Sequence, residues 1–304
     1  MGTPAFACPI LEALLARADP VVGVVCQPDR PRGRGLGVSA PEVKRLAEAN
    51  RLPVLQPERL RDAAFQGALG ALAPDLVVVA AYGKILPRAV LDLPPRGCIN
   101  VHASLLPRHR GAAPITWAVL AGDAVTGVTI MAMTEEMDAG DILLQRETPI
   151  APDDTGGTLG ERLARLGAEA IGEAIDGLQA GALRPVPQPA AGVTFAPRIE
   201  REHRRLDWRR PAVELERQLR ALAPSPSAFT TLEGKLLKVH RAALAAGTAH
   251  PGEVVAAGPD GIVVAAGTGV LRLLEVQLEG RRRLSVAEFL AGRRLAPGTC
   301  LGAG

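Results

Sequence analysis

Asn100 and His102 stand two residues apart in Asn100-Val101-His102-Ala103-Ser104. On a strand, that spacing projects both side chains to one face. Open α/β sheets place their ligands at the carboxyl ends of their strands, which is where this pair would sit. A carboxylate candidate, Asp138, lies in the acidic, glycine-containing loop Glu135–Asp141, directly after an apolar run. These three groups have a joint chemical logic. An imidazole can move a proton near neutral pH, and a carboxylate beside it can orient the ring and favour its charged form. An amide can donate a hydrogen bond to an oxygen that turns negative in a tetrahedral intermediate. Ser104 is the nearest hydroxyl, but it lacks the Gly-x-Ser-x-Gly setting that presents a nucleophile. The set therefore suits direct acyl transfer between two bound substrates better than a covalent enzyme intermediate. Taken singly, each piece has a plainer reading: Asn-x-His as a satisfied polar pair, and the acidic loop as a solvated turn.

The surrounding pattern is that of an α/β fold. Val21–Gln27 and Asp75–Tyr82 are continuous aliphatic runs, as expected of parallel strands buried on both faces. Between them, Ser39-Ala40-Pro41-Glu42 has capping-box spacing and predicts a helix through about Asn50. A second helix is expected over Pro57–Leu72, and strands over Cys98–Ala103, Gly127–Met133 and Ile142–Gln145. Thr155–Leu178 reads as a long amphipathic helix that closes the domain. Such strand–helix alternation predicts an open sheet with right-handed crossovers. At the start, Thr3 and Pro4 read as the N-cap and first residue of a helix, with no strand ahead of it. The strand feeding the first helix is normally central. The expectation is thus a gap or edge beside Val21–Gln27, and a gain in stability when the N-terminus is extended.

Gly181–Pro197 has the Pro, Gly and Ala content of an extended linker. Beyond it come one helix, about Pro211–Leu222, and short runs at Lys235–Arg241, Glu253–Ala257, Ile262–Ala266 and Val270–Gln277. Evenly spaced short strands predict a small barrel or sandwich.

Composition narrows the classes further. A chain of 304 residues exceeds the usual single-domain size of roughly 100–200. Its 47% hydrophobic and 22% charged residues exclude global disorder, and its 3% aromatics leave the core to aliphatic side chains. Cys8, Cys26, Cys98 and Cys300 are far apart, which argues against a disulfide framework or a metal site. No apolar run reaches the roughly 18–20 residues of a membrane span, and no leader-like segment is visible, so a cytoplasmic protein without a membrane partner is expected. The net charge of +3 is uneven: from Arg205 onward there are 14 Arg and Lys against nine Asp and Glu. A basic tail on a near-neutral body suits a polyanionic partner.

Several motifs make the polar cluster specific. Asn100-Val101-His102 runs into Ser104-Leu105-Leu106-Pro107, then Arg110-Gly111-Ala112-Ala113-Pro114-Ile115, then Met137-Asp138-Ala139-Gly140-Asp141. With Gly2-Thr3-Pro4-Ala5-Phe6, Gln27-Pro28-Asp29-Arg30-Pro31, Gly33-Arg34-Gly35, Thr194-Phe195-Ala196-Pro197-Arg198-Ile199 and Leu206-Asp207-Trp208, the chain resembles the folate-dependent formyltransferase family along nearly its whole length. The resemblance implies a Rossmann-like catalytic domain over residues 1–190 lacking its first strand, a linker over 191–205, and an OB-like tRNA-binding domain over 206–304. It implies 10-formyltetrahydrofolate as formyl donor, no metal, and the amino group of methionine on initiator tRNA as acceptor, in a monomer. His102 would move the proton, Asn100 would steady the formyl oxygen, and Asp138 would orient the histidine. Ser104, Leu105, Leu106 and Pro107 would line the folate pocket, while Arg34 and Arg198 would contact tRNA. Where some relatives carry lysines after Gly-Arg-Gly, this chain has Leu36 and Gly37. The Gln27–Val38 loop has GxGxG rather than GxGxxG spacing, which disfavours dinucleotide binding. Two rival readings fit the same residues: formyl transfer to a small amine, and a non-catalytic RNA-binding module.

Overall fold

A computed structural model describes residues 1–32 and 37–302. The chain divides into two compact units. One comprises Met1–Pro114, Val125–Pro149 and Gly160–Pro197; the other comprises Ile115–Ala124, Ile150–Leu159 and Arg198–Gly304.

The elements up to the long helix are, in chain order, α1 (Ala7–Leu15), β1 (Val24–Val25), β2 (Arg30–Arg32), β3 (Gly37–Ser39), α2 (Glu42–Ala49), β4 (Val54–Leu55), α3 (Ala63–Ala71), β5 (Val77–Val79), α4 (Arg88–Leu91), β6 (Cys98–His102), α5 (Pro114–Ala121), β7 (Val125–Ala132), β8 (Ile142–Pro149) and α6 (Gly156–Gln179). In the first unit, β5, β6, β7 and β8 form one sheet in that order. Only β5 and β6 are parallel; the β6–β7 and β7–β8 pairs are antiparallel, so the sheet is mixed. β1 pairs in parallel with β4, and β2 with β3 antiparallel.

Alternation along β6 divides two cores. Val101 faces α6, where Gly167 admits it: a Cβ there would lie 2.8 Å from Val101 Cγ1. Cys98 faces the other way, into a cluster with Val77, Val79, Phe65, Leu69 and Val90. Asn100 and His102 therefore lie on the Cys98 side, beyond the edge of that cluster.

Three local expectations differ from the structure. The Ser39–Glu42 capping box does not form: Ser39 is spent in β3, and α2 starts at Glu42 behind Pro41 without a side-chain cap. Thr3 does not cap α1, which begins at Ala7; its hydroxyl accepts the Gln27 amide at 3.3 Å instead. The apolar run Val21–Gln27 yields only the two-residue β1. Beside β1, Gly2 N–H donates to Val25 O at 3.0 Å and Ala80 N–H donates to Met1 O at 2.9 Å. Met1 and Gly2 thus stand between β1 and β5. A cavity of about 660 Å³ opens next to them, lined by Ile10, Val24, Leu72, Val77 and Ile175 among others.

The second unit contains α7 (Ala212–Ala221), β9 (Ala228–Leu232), β10 (Lys235–Ala245), β11 (Val254–Gly258), β12 (Gly261–Ala265), β13 (Val270–Leu278), β14 (Leu284–Ser285) and α8 (Val286–Ala291). Its strands pair antiparallel in the order β11-β12-β13-β10-β9, with β14 on β13. Leu215 and Leu219 of α7, with Leu222 just past its end, share a core with Leu237, Val239 and Leu273. The sequence pattern did not reveal β9, β14 or α8. Yet α8 carries the capping box that α2 lacks: Ser285 Oγ accepts the Glu288 amide, and the Glu288 carboxylate accepts the Ser285 amide.

Candidate active site

β6 carries Asn100 and His102 to its carboxyl end, with Asn100 opposite Met131 and His102 opposite Thr129 of β7. His102 is only 5% exposed. Its Nε2 lies 2.9 Å from the carbonyl of His109. A carbonyl can only accept, so Nε2 carries the hydrogen and Nδ1 is left for chemistry. Nδ1 lies 3.7 Å from Asp138 Oδ1. The structure thus brings the histidine and carboxylate together, although they are 36 positions apart in sequence.

The other Asp138 oxygen, Oδ2, accepts the Gly111 amide at 2.9 Å. Both partners of that bond have unusual backbones. Asp138 has φ +50°, in the left-handed region where Asp is tolerated better than most residues. Gly111 has φ +127°, and a Cβ there would lie 2.7 Å from the Ala196 carbonyl oxygen. Gly140, two residues past Asp138, meets the backbone more closely still: a Cβ there would be 1.9 Å from the carbonyl oxygen of Ala132. No side chain fits at that position without moving β7.

The Asn100 side chain is half-buried and makes no hydrogen bond among the described residues. An unspent amide on the same strand face as the histidine is available to an oxygen of a bound substrate.

The Ser104–Pro107 loop splits into two roles. Ser104 is fully buried and its hydroxyl donates to Arg108 O at 2.6 Å, while Thr129 Oγ1 donates to Ser104 O at 2.7 Å. Leu106, also buried, donates its amide to Thr129 Oγ1 at 3.0 Å and accepts Gln145 Nε2 on its carbonyl at 2.9 Å. These two residues frame the loop. Leu105 and Pro107 remain partly exposed. Of the expected tRNA contacts, Arg34 lies outside the described residues, and Arg198 is exposed on the second unit.

The 660 Å³ cavity beside Met1 is lined by none of Asn100, His102 and Asp138. A smaller one, about 420 Å³, lies between Lys84–Pro87 and Glu135, at the base of the Asp138 loop.

The residues that sequence reading missed are supports. The His109 carbonyl, Thr129 and Gln145 offered no local signal, because backbone acceptors and buried hydroxyls are invisible to motif spacing. Gln188 is the clearest case. It lies in Gly181–Pro197, which the composition marks as a linker but which the structure lays against the first unit. Val186 exchanges backbone hydrogen bonds with Ile142 at 2.8 and 2.9 Å, and the Thr194 carbonyl and Ala196 amide bracket Arg110 at 2.9 and 2.7 Å. This segment is a strap.

Two family models match the chain: "Formyl transferase" over residues 1–175 and "Formyl transferase, C-terminal domain" over residues 198–294. Among curated proteins, the methionyl-tRNA formyltransferase of Myxococcus xanthus is 54% identical over 299 residues, covering 98% of this chain and 96% of that protein. The methionyl-tRNA formyltransferase of Geobacter sulfurreducens is 49% identical over 302 residues, covering 99% and 95%. Among solved structures, the sugar 3N-formyl transferase WlaRD superposes with a TM-score of 0.68 at 16% identity, covering 92% of this chain and 97% of that one. HypX from Aquifex aeolicus, solved with tetrahydrofolic acid, gives 0.62 at 21% identity, covering 88% and 46%. At such identities the structural matches speak for the fold alone. With a family model spanning more than half its length and relatives near 50% identity from end to end, the chain belongs to the formyl transferase family.

Proposed function

We propose that this protein transfers the formyl group of 10-formyltetrahydrofolate to the amino group of methionine on initiator tRNA, the acylation that prepares translation initiation. The observation that carries the substrate choice is the 54% identity, over 98% of the chain, to a relative bearing that name. The site geometry supports the chemistry independently.

Bound folate would supply the activated formyl group; partly exposed Leu105 and Pro107, with the Glu135–Asp141 loop, would hold it. The donor set suits such an organic co-substrate, and among the described residues no cluster of His, Cys, Asp and Glu suits a metal ion. The Asn100 amide, with no partner among the described residues, donates to the formyl oxygen as that oxygen gains charge. His102 Nε2 stays anchored on the His109 carbonyl, and Nδ1 takes the proton that the attacking amine sheds and returns it to the folate nitrogen as that nitrogen's bond to the formyl carbon breaks. Asp138 faces the same nitrogen and compensates the positive ring. No nucleophilic side chain is required, and the Ser104 hydroxyl is committed to Arg108.

The first unit carries this chemistry. The second unit, with its basic balance and exposed Arg198, is assigned to tRNA; arginine suits phosphate through its planar donors. The test is a formyl-transfer assay with methionyl-initiator tRNA against free small amines, run on the parent chain and on His102→Ala. Formylation confined to small amines would overturn the acceptor, and an active His102→Ala protein would overturn the site.

A further inference from the structure

We propose that Gln188 is a positioning residue for Asp138, reaching the site from the strap rather than from any strand of the sheet. Most of residues 181–192 are exposed, and Gln188 is one of two that turn inward. Its carboxamide is fully used. Oε1 accepts from Arg110 Nε at 3.0 Å and Nη2 at 2.8 Å. Nε2 donates to Asp138 O at 2.8 Å and to Gly140 O at 2.8 Å. One amide therefore joins the two loops whose register the site depends on. Arg110 sits between His109, whose carbonyl anchors the His102 ring, and Gly111, whose amide holds Asp138 Oδ2.

The Asp138 loop needs such a brace. Its φ of +50° leaves the common regions of backbone space, and its two carbonyls at 138 and 140 are met by Gln188. Without Nε2 the loop can relax toward a commoner backbone conformation, carrying the carboxylate away from Nδ1. Displacement of a reacting group by about 1 Å can cost about 10²-fold in rate. The inference rests on the proposed role of Asp138.

The test compares Gln188→Ala, Gln188→Glu, Asp138→Asn and the double variant Gln188→Ala/Asp138→Asn. Gln188→Glu keeps an oxygen for Arg110, so the strap stays docked, but sets its other oxygen against the carbonyls of Asp138 and Gly140. It decides the matter if Gln188→Ala fails to fold. The expected result is a 10- to 100-fold loss of kcat in the Gln188 variants, with KM for both substrates within about twofold. The double variant should be no slower than Asp138→Asn alone, because Gln188 acts through that carboxylate. Normal kcat in Gln188→Glu, or multiplicative losses in the double variant, would overturn the inference while leaving the catalytic assignment intact. Full activity in Asp138→Asn would instead remove the assignment, and this inference with it.

Discussion

Replacing Asn100 with alanine isolates the electrostatic part of the mechanism. In the resting protein its amide has no protein partner among the described residues, so truncation strands no buried donor or acceptor. The backbone ladder to Val79 and Met131 is untouched, and alanine is accommodated on a strand. The stability cost should stay near 1 kcal/mol or less, about 2–4 °C in a chain of this size. The loss then falls almost entirely on the transition state. One donor to a developing oxyanion is worth about 2.7–4 kcal/mol, which at 1.4 kcal/mol per decade is a 10²–10³-fold loss of kcat. Formylation of methionyl-initiator tRNA, followed with saturating folate donor alongside a thermal melt, reads both quantities. Asn100→Asp, of the same size but acceptor-only when ionised, should be at least as slow. A kcat within threefold of the parent, or a melt lowered by more than 10 °C, would refute the reasoning: the first denies the amide its role, the second makes it structural.

Other outcomes follow from the same geometry. In Gly140→Ala the added methyl must clear the Ala132 carbonyl oxygen, now 1.9 Å from where a Cβ would sit; moving the loop by more than 1 Å should cost about 1–3 kcal/mol and at least tenfold in kcat, checked by melts and assays. For a chain beginning at Met1, burial pushes the terminal amine down from 8.0 to about 6. The unfolded chain then binds more protons between pH 6 and 8, so stability rises with pH across that window and is lost on acidification. Because Met1 is only half-buried and lines the cavity, the expected gain is about 1–2 kcal/mol, less than two full units would give. Denaturant titrations at pH 6 and 8 measure it. An apolar N-terminal extension should abolish the slope and raise the melting temperature. Binding of tRNA should weaken with salt, and Arg198→Ala should reduce the log–log slope by about one if that exposed arginine neutralises a phosphate.

Much of the candidate site's make-up was legible in the sequence because it rests on short-range pattern. The two-residue spacing of Asn100 and His102 on an aliphatic strand fixes a shared face, whatever the sheet around it. The glycines in Arg110-Gly111 and Ala139-Gly140 mark where backbones approach closely. Helix boundaries were less legible, since tertiary demands override local caps: Ser39 could cap a helix but is consumed in β3, and Thr3 holds the Gln27 amide.

What only the tertiary structure decided is how the reactive groups are held. Nothing local could assign His102 Nε2 to the His109 carbonyl, and thereby leave Nδ1 for Asp138. Nor could composition separate a linker from a strap: Pro, Gly and Ala give Gly181–Pro197 its extended form in either case. Its partners, Ile142, Arg110 and the Asp138 loop, lie 40 or more residues away. Sequence alone determined which side chains are candidates for the chemistry and which face of a strand presents them, because those follow from residue type and a period of two. The sign of the β6–β7 pairing, the brace at Gln188 and the hold of Thr129 on the Ser104 carbonyl depend on long-range hydrogen bonds, which pair groups by position in space rather than along the chain.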